Sequence, residues 1–137
     1  MSFEYKDHTA DIIIRASGET LCEAFEQAAL GFYHVITDIT TIDPIYEKKV
    51  ALESEDIKSL LFDWIDQLIF LFDTEYFISN KVKITNFKRA DNSFTLEAIL
   101  IGEEFVINKH PQKTEVKAMT YSFMEIGENF VEFTLDL

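Results

Sequence analysis

The sequence has 137 residues, 47% hydrophobic and 27% charged, which predicts one folded domain over 1–137 and excludes a globally disordered chain. Twenty-five acids against 12 bases give a net charge of −13. Long-range steering of a nucleic-acid backbone onto such a surface is excluded, whereas cations and basic proteins suit it. One cysteine, Cys22, leaves no internal disulfide framework and no cysteine-cluster zinc site. The opening residues 1–8 lack an apolar h-region, and the apolar-rich stretch 57–72 holds Lys58, Asp63 and Asp66. The expectation is therefore a chain with no secretion signal and no membrane span, in a reducing, cytoplasmic setting.

In chain order, Ile12 to Ala16 is a short β-branched run that predicts a strand. Thr20 followed by Glu23 reads as a capping box opening a helix. Leu21, Phe25, Ala28, Ala29, Phe32 and Ile36 lie on one stripe of it, and it should end near Ile36. Tyr46 to Leu52 predicts a second strand. A second helix follows, with Ser54 as candidate cap and Glu55 and Asp56 in its first turn. Its stripe of Ile57, Leu60, Leu61, Trp64, Leu68 and Leu71 is widened by Ile65, Ile69 and Phe72, which predicts that this helix is the central one.

Strands are then expected around residues 82–87, 94–101, 114–126 and 130–135, with turns at 90–93 and 127–129. For the last pair, placing Ile126 opposite Val131 and Met124 opposite Phe133 keeps apolar residues together, and a slip of one residue mixes the faces. Carried along an unbroken strand 114–126, that register puts Lys117 and Asp136 on one side of the sheet. The fold class predicted is α+β: a compact single-domain sandwich, an antiparallel or mixed sheet with two long helices packed on one face.

Several groupings can carry chemistry. Asp7, His8 and Asp11 precede the first strand and can serve as metal ligands, as an acid/base set, or as capping residues of a solvated loop. As a catalytic set they define a metal-dependent hydrolase, an alternative of a different class from the binding readings. Asp136 stands beside Leu137, so its carboxylate and a terminal one offer oxygen donors to a hard cation such as calcium or magnesium; with Asp11 nearby, three anionic groups would call for a cation between them. Phe72-Asp73-Thr74-Glu75 puts acids at a helix C-terminus, against its dipole. The loop 102–111 carries Lys109 and His110. Lys117 can orient a phosphate or carboxylate, or pair with Glu115 or Glu132. Cys22 reads as packing rather than a nucleophile.

Taken together, residues 5–11 (YKDHTAD), 21–31 (LCEAFEQAALG), 71–75 (LFDTE), Gly102-Glu103, His110, 114–121 (TEVKAMTY) and the terminal Leu135-Asp136-Leu137 resemble the archease family from end to end. The resemblance implies a non-catalytic helper of the RtcB-type RNA ligase in tRNA splicing. Such a helper promotes guanylylation and multiple turnover of the ligase. It also implies, as an alternative, a chaperone-like modulator of a tRNA cytosine methyltransferase. The family's metal site maps onto Asp11, Asp136 and Leu137, with calcium the usual occupant and magnesium or manganese as other candidates. Its functional lysine maps onto Lys117, and Asp7 and His8 fall beside the metal positions. One departure stands in the loop before His110, where the family's usual Asp and Arg are replaced by Val106 and Lys109.

Overall fold

The structure is a computed structural model that describes residues 1–6 and 10–137. Two antiparallel sheets hold two helices between them. The first sheet has the order β1 (Ser2–Lys6), β2 (Asp11–Ser17), β8 (Phe130–Asp136), β6 (Ala118–Met119), with β7 (Glu125–Ile126) also on β8. The second has the order β3 (Tyr46–Ser54), β5 (Ser93–Glu104), β4 (Phe77–Ala90). The helices are α1 (Leu21–Ile36) and α2 (Ile57–Glu75), and a 3-10 turn spans Ile39–Thr41. This is the α+β sandwich the sequence predicts, with both helices on one face of each sheet. No helix of the described residues is long and apolar enough to cross a membrane.

Helix α1 begins where Thr20 accepts the Glu23 N–H, and the Glu23 carboxylate reaches back to the Glu19 N–H. Helix α2 is capped by Asp56, not Ser54. Asp56 and Ser59 form the reciprocal box, while Ser54 closes β3 and donates to Asp63. The more central helix is α1, which has no exposed residue, whereas α2 exposes Lys58, Asp66, Phe70 and Asp73. The width of an apolar stripe does not decide centrality here; α1 is enclosed because small residues let both sheets approach it. Gly31 is one such point: a Cβ there would sit 3.1 Å from Ile14 and 3.2 Å from Phe3, and Tyr5 donates to the Gly31 carbonyl at 3.0 Å. On the other side Phe25 meets Phe87 edge-on at 5.0 Å, and buried Trp64 donates to the Phe25 carbonyl, tying α2 to α1.

The first sheet departs from expectation at both ends of the chain. Strand β1, unforeseen, pairs with β2. Residues 114–126 are not one strand: β6 and β7 are two residues each, and between them Phe123 adopts a left-handed backbone (φ 55°). Ile126 does lie opposite Val131. Across the intervening turn the register changes by three residues, so Ala118 lies opposite Asp136 and Met119 opposite Leu135. An odd shift reverses which residues share a face. Ala118, not Lys117, is thus the cross-strand neighbour of Asp136, and the facing argument made from an unbroken strand does not hold.

Candidate functional site

Strands β2 and β8 pair from Ser17–Phe130 to Asp11–Asp136. Ile12, Ile14 and Ala16 lie opposite Leu135, Phe133 and Val131, and most of these are fully buried against the helices. The period of two then puts Asp11 and Asp136 on the opposite face, at the last rung of the ladder. Cross-strand neighbours have Cβ atoms about 4.5–5.5 Å apart. Two carboxylates from opposite extremes of the sequence are therefore held side by side. Like charges in this relation oppose strand pairing, and hard oxygen donors in this relation suit a divalent cation.

The main chain locks this corner. The Leu137 N–H donates to the Ala10 carbonyl at 3.4 Å, and the Lys117 N–H donates to the Asp136 carbonyl at 2.8 Å. Lys117 comes to Asp136 through its backbone, and its side chain is exposed. Of the predicted site residues, the structure thus brings Asp11, Asp136, Leu137 and Lys117 to one corner. Asp7 and His8 lie outside the described residues. Among the described residues no three His, Cys, Asp or Glu side chains converge as a metal cluster, so a cation here would draw on the two aspartates and on main-chain or terminal oxygens.

A second constellation was missed in the sequence. Glu103, at the end of β5, is buried and accepts hydrogen bonds from the Asp43 N–H at 2.7 Å, Lys109 Nζ at 2.9 Å and His110 Nε2 at 3.0 Å. Lys109 also bonds Asp43 at 2.6 Å. The Val106 N–H donates to His110 Nδ1, which fixes the neutral tautomer with its proton on Nε2, facing Glu103. Burial pushes the Glu103 carboxyl up, but the hydrogen bonds from Lys109, Asp43 and His110 outweigh it and hold the group at about 2. The only signal was a Glu after Gly102 with Lys and His six and seven residues on. Lys109 acts here as a clasp between Asp43 and Glu103. Cys22, half-buried, has its thiol pushed up by burial and by Glu26 and Glu23, which fits packing and not nucleophilic attack.

The archease protein family model matches residues 3–137. The chain belongs to the archease family. Curated archeases share its sequence: that of Danio rerio is 46% identical over 127 residues, 92% of this chain and 77% of the relative. That of Methanosarcina mazei is 37% identical over 124 residues, 90% of this chain and 85% of the relative. The archease fold is recovered as well. The solution structure of Methanobacterium thermoautotrophicum protein 1598 superposes with a TM-score of 0.85 at 36% identity, covering 99% of each chain. A Thermotoga maritima crystal structure, described as an archease and possible chaperone, shares the fold with a TM-score of 0.50 at 20% identity, covering 96% of this chain and 92% of that one.

Proposed function

We propose that this archease is a non-catalytic accessory protein that activates an RtcB-type RNA ligase in tRNA splicing. In this reading Asp11 and Asp136, with the carboxylate of Leu137 where that residue ends the chain, hold a divalent cation, calcium first. The observation that carries the reading is the direct cross-strand pairing of Asp11 with Asp136. Two hard carboxylates so placed fit such a cation, and charge neutralisation there would relieve their repulsion. Lys117 is tied to the same corner by its N–H, and its side chain is exposed and open to a partner. The acidic surface favours a protein partner over RNA itself.

The test has two readouts. Calcium at about a hundred times its dissociation constant should stabilise the wild type by about 2.7 kcal/mol, and Asp11→Asn and Asp136→Asn should lose that response while remaining folded. In a multiple-turnover ligation assay at fixed GTP and metal, wild-type protein should sustain ligase cycling, and the two variants and Lys117→Ala should not. Full ligase turnover with all three variants would overturn the reading. So would phosphoester hydrolysis by the isolated protein.

A further inference from the structure

A cavity of about 550 Å³ opens between the C-terminal end of α2 and the segment that leads toward β6. It is within the size range of specific ligand sites. It is lined by three aromatic residues, Phe72, Tyr76 and Phe105, and by two acids, Asp73 and Glu115. Phe72 meets Tyr76 edge-on at 6.1 Å and Phe105 at 6.0 Å, so the three rings form one aromatic corner. The walls are anchored: Phe105 donates its N–H to the Tyr76 carbonyl at 2.7 Å and stacks on His110 at 5.7 Å, and Lys113 and Thr114 donate to the Ile36 and Val35 carbonyls at the end of α1.

Three features of this mouth go against local stability rules. Asp73 lies in the last turn of α2, where the dipole disfavours acids, and that turn has no basic residue; its neighbour Glu75 is paired with Lys48. Tyr76 is the C-cap and adopts a left-handed backbone (φ 56°), a place suited to glycine or asparagine. The residue is 54% exposed, so core packing does not account for a tyrosine there. Asp73 and Glu115 are exposed and take part in no ion pair among the described residues. Rules broken together at one site are expected where binding, rather than folding, sets the residues.

A negative helix end and two carboxylates exclude an anion, and three aromatic rings in the wall favour an organic cation over a bare metal ion. The same walls stack on a flat delocalised cation, and the carboxylates accept its N–H groups. We propose that this pocket receives an arginine side chain of a protein partner, its guanidinium laid against Tyr76 and Phe105 and paired with Asp73 and Glu115. The net charge of −13 favours encounter with a basic partner, and Asp73 and Glu115 supply the local carboxylates. The pocket is separate from the Asp11–Asp136 corner, and the inference does not depend on ligase activation.

The test uses the full chain and the peptide acetyl-Gly-Arg-Gly-amide, followed by NMR in about 0.15 M salt, where long-range attraction is screened. Saturable shifts should centre on Phe72, Tyr76, Phe105 and Thr114, with a millimolar dissociation constant. The citrulline peptide, neutral and nearly isosteric, should bind at least about fivefold more weakly, and the lysine peptide in between. Asp73→Asn and Glu115→Gln should each weaken binding severalfold with no loss of melting temperature. Tyr76→Gly keeps the left-handed cap and should also weaken binding. Equal binding of arginine and citrulline peptides would overturn the proposal, as would shifts scattered over the acidic surface and kept in the Asp73→Asn/Glu115→Gln double variant. Tighter binding of tetramethylammonium than of the arginine peptide would overturn it too, by assigning the cage to a quaternary amine.

Discussion

Glu103 allows the hold on the loop after β5 to be measured. Its side chain is 11% exposed and gathers hydrogen bonds from Lys109, Asp43 and His110. Burial alone would raise its titration point; those contacts instead keep it at about 2, against roughly 4.3 in an unfolded chain. At about 1.4 kcal/mol per unit, the gap corresponds to roughly 3 kcal/mol of folding stability. Lys109 is 39% and Asp43 61% exposed, so screening reduces this to about 1–2 kcal/mol. Because the folded value is depressed, the contribution is complete above roughly pH 5 and is lost as pH falls through 4 toward 2. Glu103→Gln keeps the shape and one acceptor oxygen but removes the charge. Urea unfolding at pH 7 should find the variant weaker by about 1–2 kcal/mol, and the gap should shrink to about half at pH 3. A gap of equal size at both pH values, or none at pH 7, would refute the charge-based account.

Tyr33 is fully buried, and its hydroxyl has no hydrogen-bond partner among the described residues. Tyr33→Phe should therefore unfold at the same or a higher temperature by calorimetry, gaining up to about 1 kcal/mol, and a loss larger than that would count against an unsatisfied hydroxyl. Gly102 faces Ser79 across the β4–β5 ladder, and a Cβ there would lie 1.8 Å from the Ile78 carbonyl oxygen. Gly102→Ala should lose about 3 kcal/mol or more in urea unfolding, because backbone rather than a movable side chain must give way.

Much of the architecture was legible because burial follows period. The stripe from Leu21 to Ile36 marks α1 to the residue, and the alternation of Leu96, Ala98 and Leu100 marks the inner face of the second sheet. Residues 114–126 were not legible, because alternation continues through a place where the chain leaves the sheet. The left-handed Phe123 and the three-residue register change leave no mark in hydrophobic spacing. Strand β1 escaped notice because its partner, not its composition, makes it a strand. The Asp11–Asp136 corner was found through resemblance more than through physics. No local pattern says that residues 125 positions apart will share a rung, and only the order β1-β2-β8-β6 brings them together. The Glu103 clasp was hidden for a similar reason, since Asp43 reaches it from another part of the chain.

The position of β8 inside its sheet also shapes how the molecule is made. Val131, Phe133 and Leu135 are fully buried, yet they pair with residues more than a hundred positions earlier. While the polypeptide emerges from a ribosome, the β1–β2 hairpin can form and β3, α2, β4 and β5 can assemble from near neighbours. The hairpin must meanwhile wait with an open row of amide and carbonyl groups along β2. Contacts of such long range close slowly. The nascent chain is therefore most prone to pairing with the wrong strand just before residues 130–136 are released.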